Sequence, residues 1–317
     1  MSKYGLRETA MLVKFSTKRL GNNRKDKEAT AKIEALYDVD PGLAGVYKKL
    51  VDPKTPIVKK INKHLDLCGN TFRPLTGVWD DEWRIITAKA HPRLQSVMQD
   101  LETIHLENVE ELVKLWPAIL ANAQVQMKGL YDASLLPTVE EIRNKFIFNF
   151  QSQCLPDDGG HLLLQLDEKR AKAIGDAAAK NTKQRLANLT ESLHERVRTD
   201  LTEMVKNMRE YGDEIKGSKR GRSFKDSQIE KMRDLADLLP ALNLEGDARL
   251  DKLGSEIAAH LTTISAADLR GNKRKGDNRS KEQIEADAAS RREAAADKTD
   301  ELLDNLDNIF GEGDNAD

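Results

Sequence analysis

Cysteine is nearly absent. Cys68 and Cys154 are the only two in 317 residues, and their separation fits neither a disulfide framework nor a paired zinc motif, which points to a reducing cytoplasm. Aromatics make up only 5 % of the chain, so a thick aromatic core is excluded. No run approaches the roughly 20 apolar residues of a membrane span, and the opening MSKYGLRETAMLVKF lacks the apolar stretch of a secretory signal. An excess of one charge is missing too. The 51 Lys and Arg nearly cancel the 53 Asp and Glu, although basic runs at 216–225 and 270–281 stand apart from an acidic C-terminal stretch. Short catalytic signatures are also lacking: there is no G-x-x-x-x-G-K-[ST] loop, no G-x-G-x-x-G turn after a strand, no G-x-S-x-G elbow and no H-E-x-x-H helix. The sequence therefore assigns no catalytic residue and no cofactor, and the expectation is a protein that is not an enzyme.

What is present is long amphipathic helix. From Asp167 to about Ile215 there is no proline and little glycine, and Leu186, Val197 and Met208 recur every eleven residues, as do Leu193, Met204 and Ile215. That period, about 3.67 residues per turn, keeps an apolar seam almost parallel to the axis of a rod roughly 65 to 70 Å long. Such a seam needs covering, either by other helices of the chain at 92–130 and 227–261 or by a second copy. Leu186, Leu193, Val197, Met204 and Met208 are accordingly candidate partner-binding residues.

Elsewhere, Ala10 to Phe15 reads as a strand, and 145–166 as a hairpin whose first strand alternates Phe146, Phe148 and Phe150 before a turn at Pro156 to Gly160. Residues 24–37 read as an amphipathic helix. Leu43 to Leu50 and Pro56 to Leu67 read as two short ones, the second started by Thr55 as cap and Pro56 at its first position. Pro117 predicts a kink or break in a helix over 92–130, and Pro240 the end of one over 227–239. The expected fold is mainly α, an elongated bundle of long helices with a small antiparallel sheet made of the hairpin and strand 10–15. The expected organisation is a helical body over 1–265, a flexible basic linker over 266–281 and a helical, acidic tail over 282–317 lying outside the body.

Candidate sites are weighed against simpler roles. Lys216, Lys219, Arg220, Arg222 and Lys225, with Arg270, Lys273, Arg274 and Lys275, form two basic clusters able to neutralise phosphates without reading sequence, but neither has aromatics interleaved for base stacking. Solvated loops explain them equally simply. In the tail, Leu302, Leu306, Ile309 and Phe310 present an apolar stripe among acids that would suit a partner's groove. His64 and Cys68 lie one helical turn apart without a second pair, so a core role outweighs a metal site. Asp80, Asp81 and Glu82, between Trp79 and Trp83, are too few to converge on a hard cation, and the indoles read as anchors. Asp157 and Asp158 read as turn residues, and Cys154 with His161 lacks an orienting third group. No metal ligand set is assigned.

Three stretches resemble an uncharacterised family found mainly in tailed bacteriophages and prophages: AMLVKFSTKRLG; TGVWDDEWRIITAKAHPRLQSVMQDLE; and LYDASLLPTVEEIRNKFIFNF continuing through CLPDDGG to FKDSQIEKMRDLADLLPALNLEGDARL. Together they cover about residues 10–260. The resemblance implies genes neighbouring a cobaltochelatase-like AAA+ ATPase and a von Willebrand A-type protein, hence an AAA+ partner in a motor-linked assembly. It carries no active-site residues. The resulting expectation is a non-catalytic phage assembly or adaptor protein in the host cytoplasm, forming homo-oligomers or a complex. The alternative is a sequence-independent nucleic-acid-binding protein using the loops 216–225 and 270–281.

Overall fold

The structure, a computed structural model, describes residues 6–155, 168–212, 224–272 and 278–311. It is mainly α with a small antiparallel sheet, as the sequence predicts. The strands are β1 (Ala10–Lys18), β2 (Asn23–Lys25), β3 (Tyr47–Lys49), β4 (Gly77–Val78), β5 (Arg84–Thr87) and β6 (Ile147–Cys154). The helices are α1 (Leu6–Thr9), α2 (Lys27–Tyr37), α3 (Pro56–Phe72), α4 (His91–Met127), α5 (Val139–Ile142), α6 (Glu168–Arg209), α7 (Asp226–Leu242), α8 (Ala248–Leu261), α9 (Ala266–Leu269) and α10 (Lys281–Gly311). One sheet has the order β4-β5-β1-β6, and β2 and β3 pair separately as a two-stranded ribbon.

The chain divides into two compact units that are not consecutive in sequence. Unit one holds Met1–Val13, Arg73–Pro92 and Ser152–Asp317; unit two holds Lys14–Phe72 and Arg93–Gln151. This replaces the expected single body over 1–265 followed by a linker and a separate tail.

In unit one, β1 pairs antiparallel with β5 from Ala10↔Thr87 to Val13↔Arg84. Leu189, Leu193, Val197, Leu201, Met204 and Met208 line one stripe of α6, all buried. The stripe is covered from within the chain by α10 and α7, on which α8 packs in turn to complete the same core. The tail is therefore not outside the body. Leu302 and Leu306 of α10 are fully buried in the same core with Ala295 and Ala296, and Ala288 is buried nearer the start of the helix. Alanine seams let helices approach closely but leave little hydrophobic signal in a sequence. Arg292 fastens this helix: its guanidinium donates to the Leu269 carbonyl at 2.6 Å and to Glu285 at 2.7 Å, and lies 4.1 Å from the centre of the Tyr211 ring. Pro240 does not end α7, which runs on to Leu242.

In unit two, α3 starts at Pro56 as expected but continues past Cys68 to Phe72, because Ile61, Leu65, Cys68 and Phe72 prolong one buried stripe. Helix α4 passes through Pro117 without a break. Between α3 and α4 lie Ile57, Ile61 and Leu65, Val109, Leu112 and Ile119, with Trp116 completely buried and its indole N–H donating to the Pro137 carbonyl at 2.8 Å. Thr138 caps α5, accepting from the Glu141 N–H at 3.2 Å while Glu141 accepts from the Thr138 N–H at 3.1 Å. The Phe face of β6 packs inward, Phe148 against Phe15 and Phe150 against Phe72. The second half of the expected hairpin, with its turn, lies outside the described residues.

Candidate nucleic-acid interface

The ribbon of unit two is where structure departs most from sequence. Leu43 to Leu50 is not a helix; residues 47–49 form β3, and the start of the expected helix at 24 forms β2. The register is Asn23↔Lys49, Arg24↔Lys48 and Lys25↔Tyr47. Three-residue strands are short, so the pairing is extended at both ends. The Leu50 N–H donates to the Asn22 carbonyl, the Asn22 side-chain amide both donates to and accepts from the Val51 backbone at 2.8 and 2.9 Å, and the Asp26 N–H donates to the Val46 carbonyl. Leu50 and Val51 are buried in the core of unit two and anchor the ribbon there.

Helix α2 is joined to the same ribbon. The Asp26 carboxylate caps it, accepting from the Ala29 N–H at 2.9 Å, and Thr30 donates to the Asp26 carbonyl while accepting from the Val46 N–H at 3.0 Å.

Strand geometry then sorts the side chains. Residues opposite one another share a face, and neighbours along a strand alternate. Tyr47, Lys49, Asn23 and Lys25 form one face, and all four are exposed. Arg24 and Lys48 occupy the other. Their like charges would repel, but Lys48 is half-buried, 3.8 Å from Asp26, and donates to the Leu130 carbonyl. Lys25, Lys27 and Lys49 make no ion pair among the described residues. Residues 14–72 hold thirteen Lys or Arg against seven Asp or Glu, whereas 93–151 hold five against eight. The charge segregation lies within this unit, and the near-zero net charge conceals it.

The basic clusters singled out in the sequence do not compose a site among the described residues. Lys216, Lys219, Arg220 and Arg222, and Lys273, Arg274 and Lys275, lie outside them. Lys225 precedes α7, its N–H donating to Gln228, and Arg270 is committed to the fold, donating to the Phe224 carbonyl and to Asp226. The candidate partner-binding residues are corrected more firmly. Leu193, Val197, Met204, Met208, Leu302 and Leu306 are core, and Leu186, Ile309 and Phe310 are partly buried against it.

Compared with protein-family models, curated proteins and solved structures, the chain matches none.

Other candidates resolve into structural roles. Burial raises the Asp80 carboxyl, but the N–H groups of Trp83 and Glu82 together with Arg185 outweigh it and hold the group below the usual range; Asp80 thus serves its own loop. Trp79 is buried and Trp83 packs on the same core. Cys68 is fully buried, and burial pushes its thiol up to about 11, so it is not a ready nucleophile. Cys154 is exposed at the end of β6, and His161, Asp157 and Asp158 lie outside the described residues. Among the described residues no three His, Cys, Asp or Glu side chains are grouped to hold a metal, and no helix is long and apolar enough to cross a membrane. A cavity of about 330 Å³ in unit one has an apolar floor from Leu189, Leu193 and Phe310. Its polar rim is spent on itself: Asn243 bonds Asp247 and Asp251, and Arg249 pairs with Asp247.

Proposed function

We propose that this chain is a non-catalytic protein that binds nucleic acid without reading sequence, through the β2–β3 ribbon of unit two. The observation that carries the reading is the exposed face on which Lys25 and Lys49 both adjoin Tyr47, with exposed Lys27 two residues beyond Lys25 in the chain. Side chains of this kind neutralise phosphates and release condensed counterions, so affinity falls steeply with salt. The test is fluorescence anisotropy with labelled oligonucleotides at stepped salt. Three neutralised phosphates give a slope of about −2 to −3 in log affinity against log salt. Replacing Lys25, Lys27 and Lys49 by Ala flattens that slope and weakens every sequence alike. No binding at low salt, or an unchanged slope in the triple variant, overturns the reading.

A second reading, a phage assembly or adaptor protein, rests on α2. Ile33, Leu36 and Tyr37 share one face of that helix and are exposed, and Leu43, 77 % exposed, follows the turn held by the Gly42 N–H on Glu34. An AAA+ partner, which the phage-family resemblance implies, belongs to this reading. So does self-association, and light scattering tests it: concentration-dependent mass that Leu36→Asp with Leu43→Asp abolishes supports the face, and a monomer at all concentrations counts against self-association through it.

A further inference from the structure

We propose that the ribbon's partner is single-stranded nucleic acid, held by a base stacked on Tyr47 with its flanking phosphates on Lys25 and Lys49. This rests on the nucleic-acid reading above and goes beyond it by choosing the strand state.

Tyr47 is 65 % exposed although it sits in a paired strand, where tyrosine ordinarily packs its ring against a neighbour. Its cross-strand partner is Lys25, and Lys49 lies two residues along on the same face. The ring rests beside Gly45, where an added Cβ would stand 3.3 Å from one ring carbon and 3.9 Å from the next. Gly45 thus leaves room for the ring close to the backbone.

One aromatic ring with a cation across the ribbon and another along its own strand, on one exposed face, has the elements that single-strand binders combine, a stacking platform and a charged track for the backbone. Paired bases in a duplex are already stacked on each other and offer no free face to the ring, so Tyr47 adds nothing to duplex binding. A two-stranded ribbon entering a major groove would instead use cations and amides on base edges and would be indifferent to the ring. The one aromatic of the basic loop 216–225, Phe224, is buried in the core of unit one; here the aromatic is exposed and comes from a strand that pairs with a cation across the ribbon.

The experiment uses the full chain with a mixed-sequence single strand and the same strand annealed to its complement, at one low salt concentration. Tyr47→Ala is expected to weaken single-strand binding about tenfold and leave duplex binding unchanged. Tyr47→Phe keeps the ring and is expected to retain wild-type affinity. A single strand carrying 5-bromouracil is expected to cross-link to the peptide containing Tyr47. Equal thermal melting of all variants shows that the fold is kept. If Tyr47→Ala leaves single-strand affinity unchanged while Lys25→Ala, Lys27→Ala and Lys49→Ala together weaken both strand states, the stacking inference falls and the nucleic-acid reading stands. If the wild-type chain binds neither strand state, both fall.

Discussion

His105 faces His64 ring to ring inside unit two, their centroids 6.2 Å apart and their planes 15° from parallel. The His64 Nε2 lies 2.9 Å from the Leu101 carbonyl, and the His105 Nε2 3.4 Å from that of Phe146. The Nδ1 of His105 is buried without a partner among the described residues. Burial lowers the His105 pKa, the Phe146 carbonyl offsets part of this, and nearby His64 lowers it further.

A pH dependence follows. A histidine whose folded pKa is depressed binds its proton more readily when unfolded, so it contributes stability fully above the unfolded value near 6.5, and that stability is lost as pH falls below it. Urea midpoints are therefore expected to drop between about pH 7 and pH 5. His105→Gln, which keeps a polar side chain but does not titrate, is expected to make the drop shallower. It does not abolish it, because burial also lowers His91 in unit one. An equal drop in wild type and variant would show that His105 is not responsible.

Arg292 is 7 % exposed and holds Leu269, Glu285 and Tyr211 at once. Arg292→Ala leaves the Leu269 carbonyl unpaired and is expected to cost about 2 to 4 kcal/mol in denaturant titration. Arg292→Lys is expected to recover only part, since an ammonium neither stacks flat on Tyr211 nor reaches both acceptors in the same geometry.

The two cysteines should separate cleanly. In the native protein a thiol reagent is expected to modify Cys154, which is exposed, and to spare Cys68, which is buried with its thiol raised to about 11. Cys154→Ser is expected to abolish fast labelling, with the remaining thiol appearing only on unfolding. Rapid labelling of Cys68 in the folded chain would contradict its burial.

Removing residues 281–317 tests whether the last helix is tail or core. A detachable tail leaves melting unchanged. With α10 covering the stripe of α6, truncation exposes apolar surface around Val197 and Leu201. Loss of cooperative unfolding and binding of a hydrophobic dye are expected.

The parts of the fold legible in the sequence are those carried by local periodicity. The seam of α6, the alternating phenylalanines of β6, Pro56 at the start of α3 and the Thr138 cap each announce themselves within a few residues. The ribbon does not. Asn23–Lys25 and Tyr47–Lys49 are polar and exposed, with no apolar alternation to mark a strand, and they pair because Asn22 meets Val51 and Thr30 meets Val46. Those contacts are set by tertiary structure. The place of α10 was hidden for another reason, since buried Ala288, Ala295 and Ala296 look the same in sequence as alanines on a solvated helix. Helix α4 does not break at Pro117 and α7 does not end at Pro240, because packing on neighbouring helices outweighs a single lost hydrogen bond.

The interleaving of the two units sets an order of synthesis. Every residue of unit two has been translated once the ribosome passes Gln151, whereas Ala10–Val13, translated before it, must wait for α7, α8 and α10 before unit one's core exists. A nascent chain can therefore complete its ribbon-bearing half while the other half is still being translated.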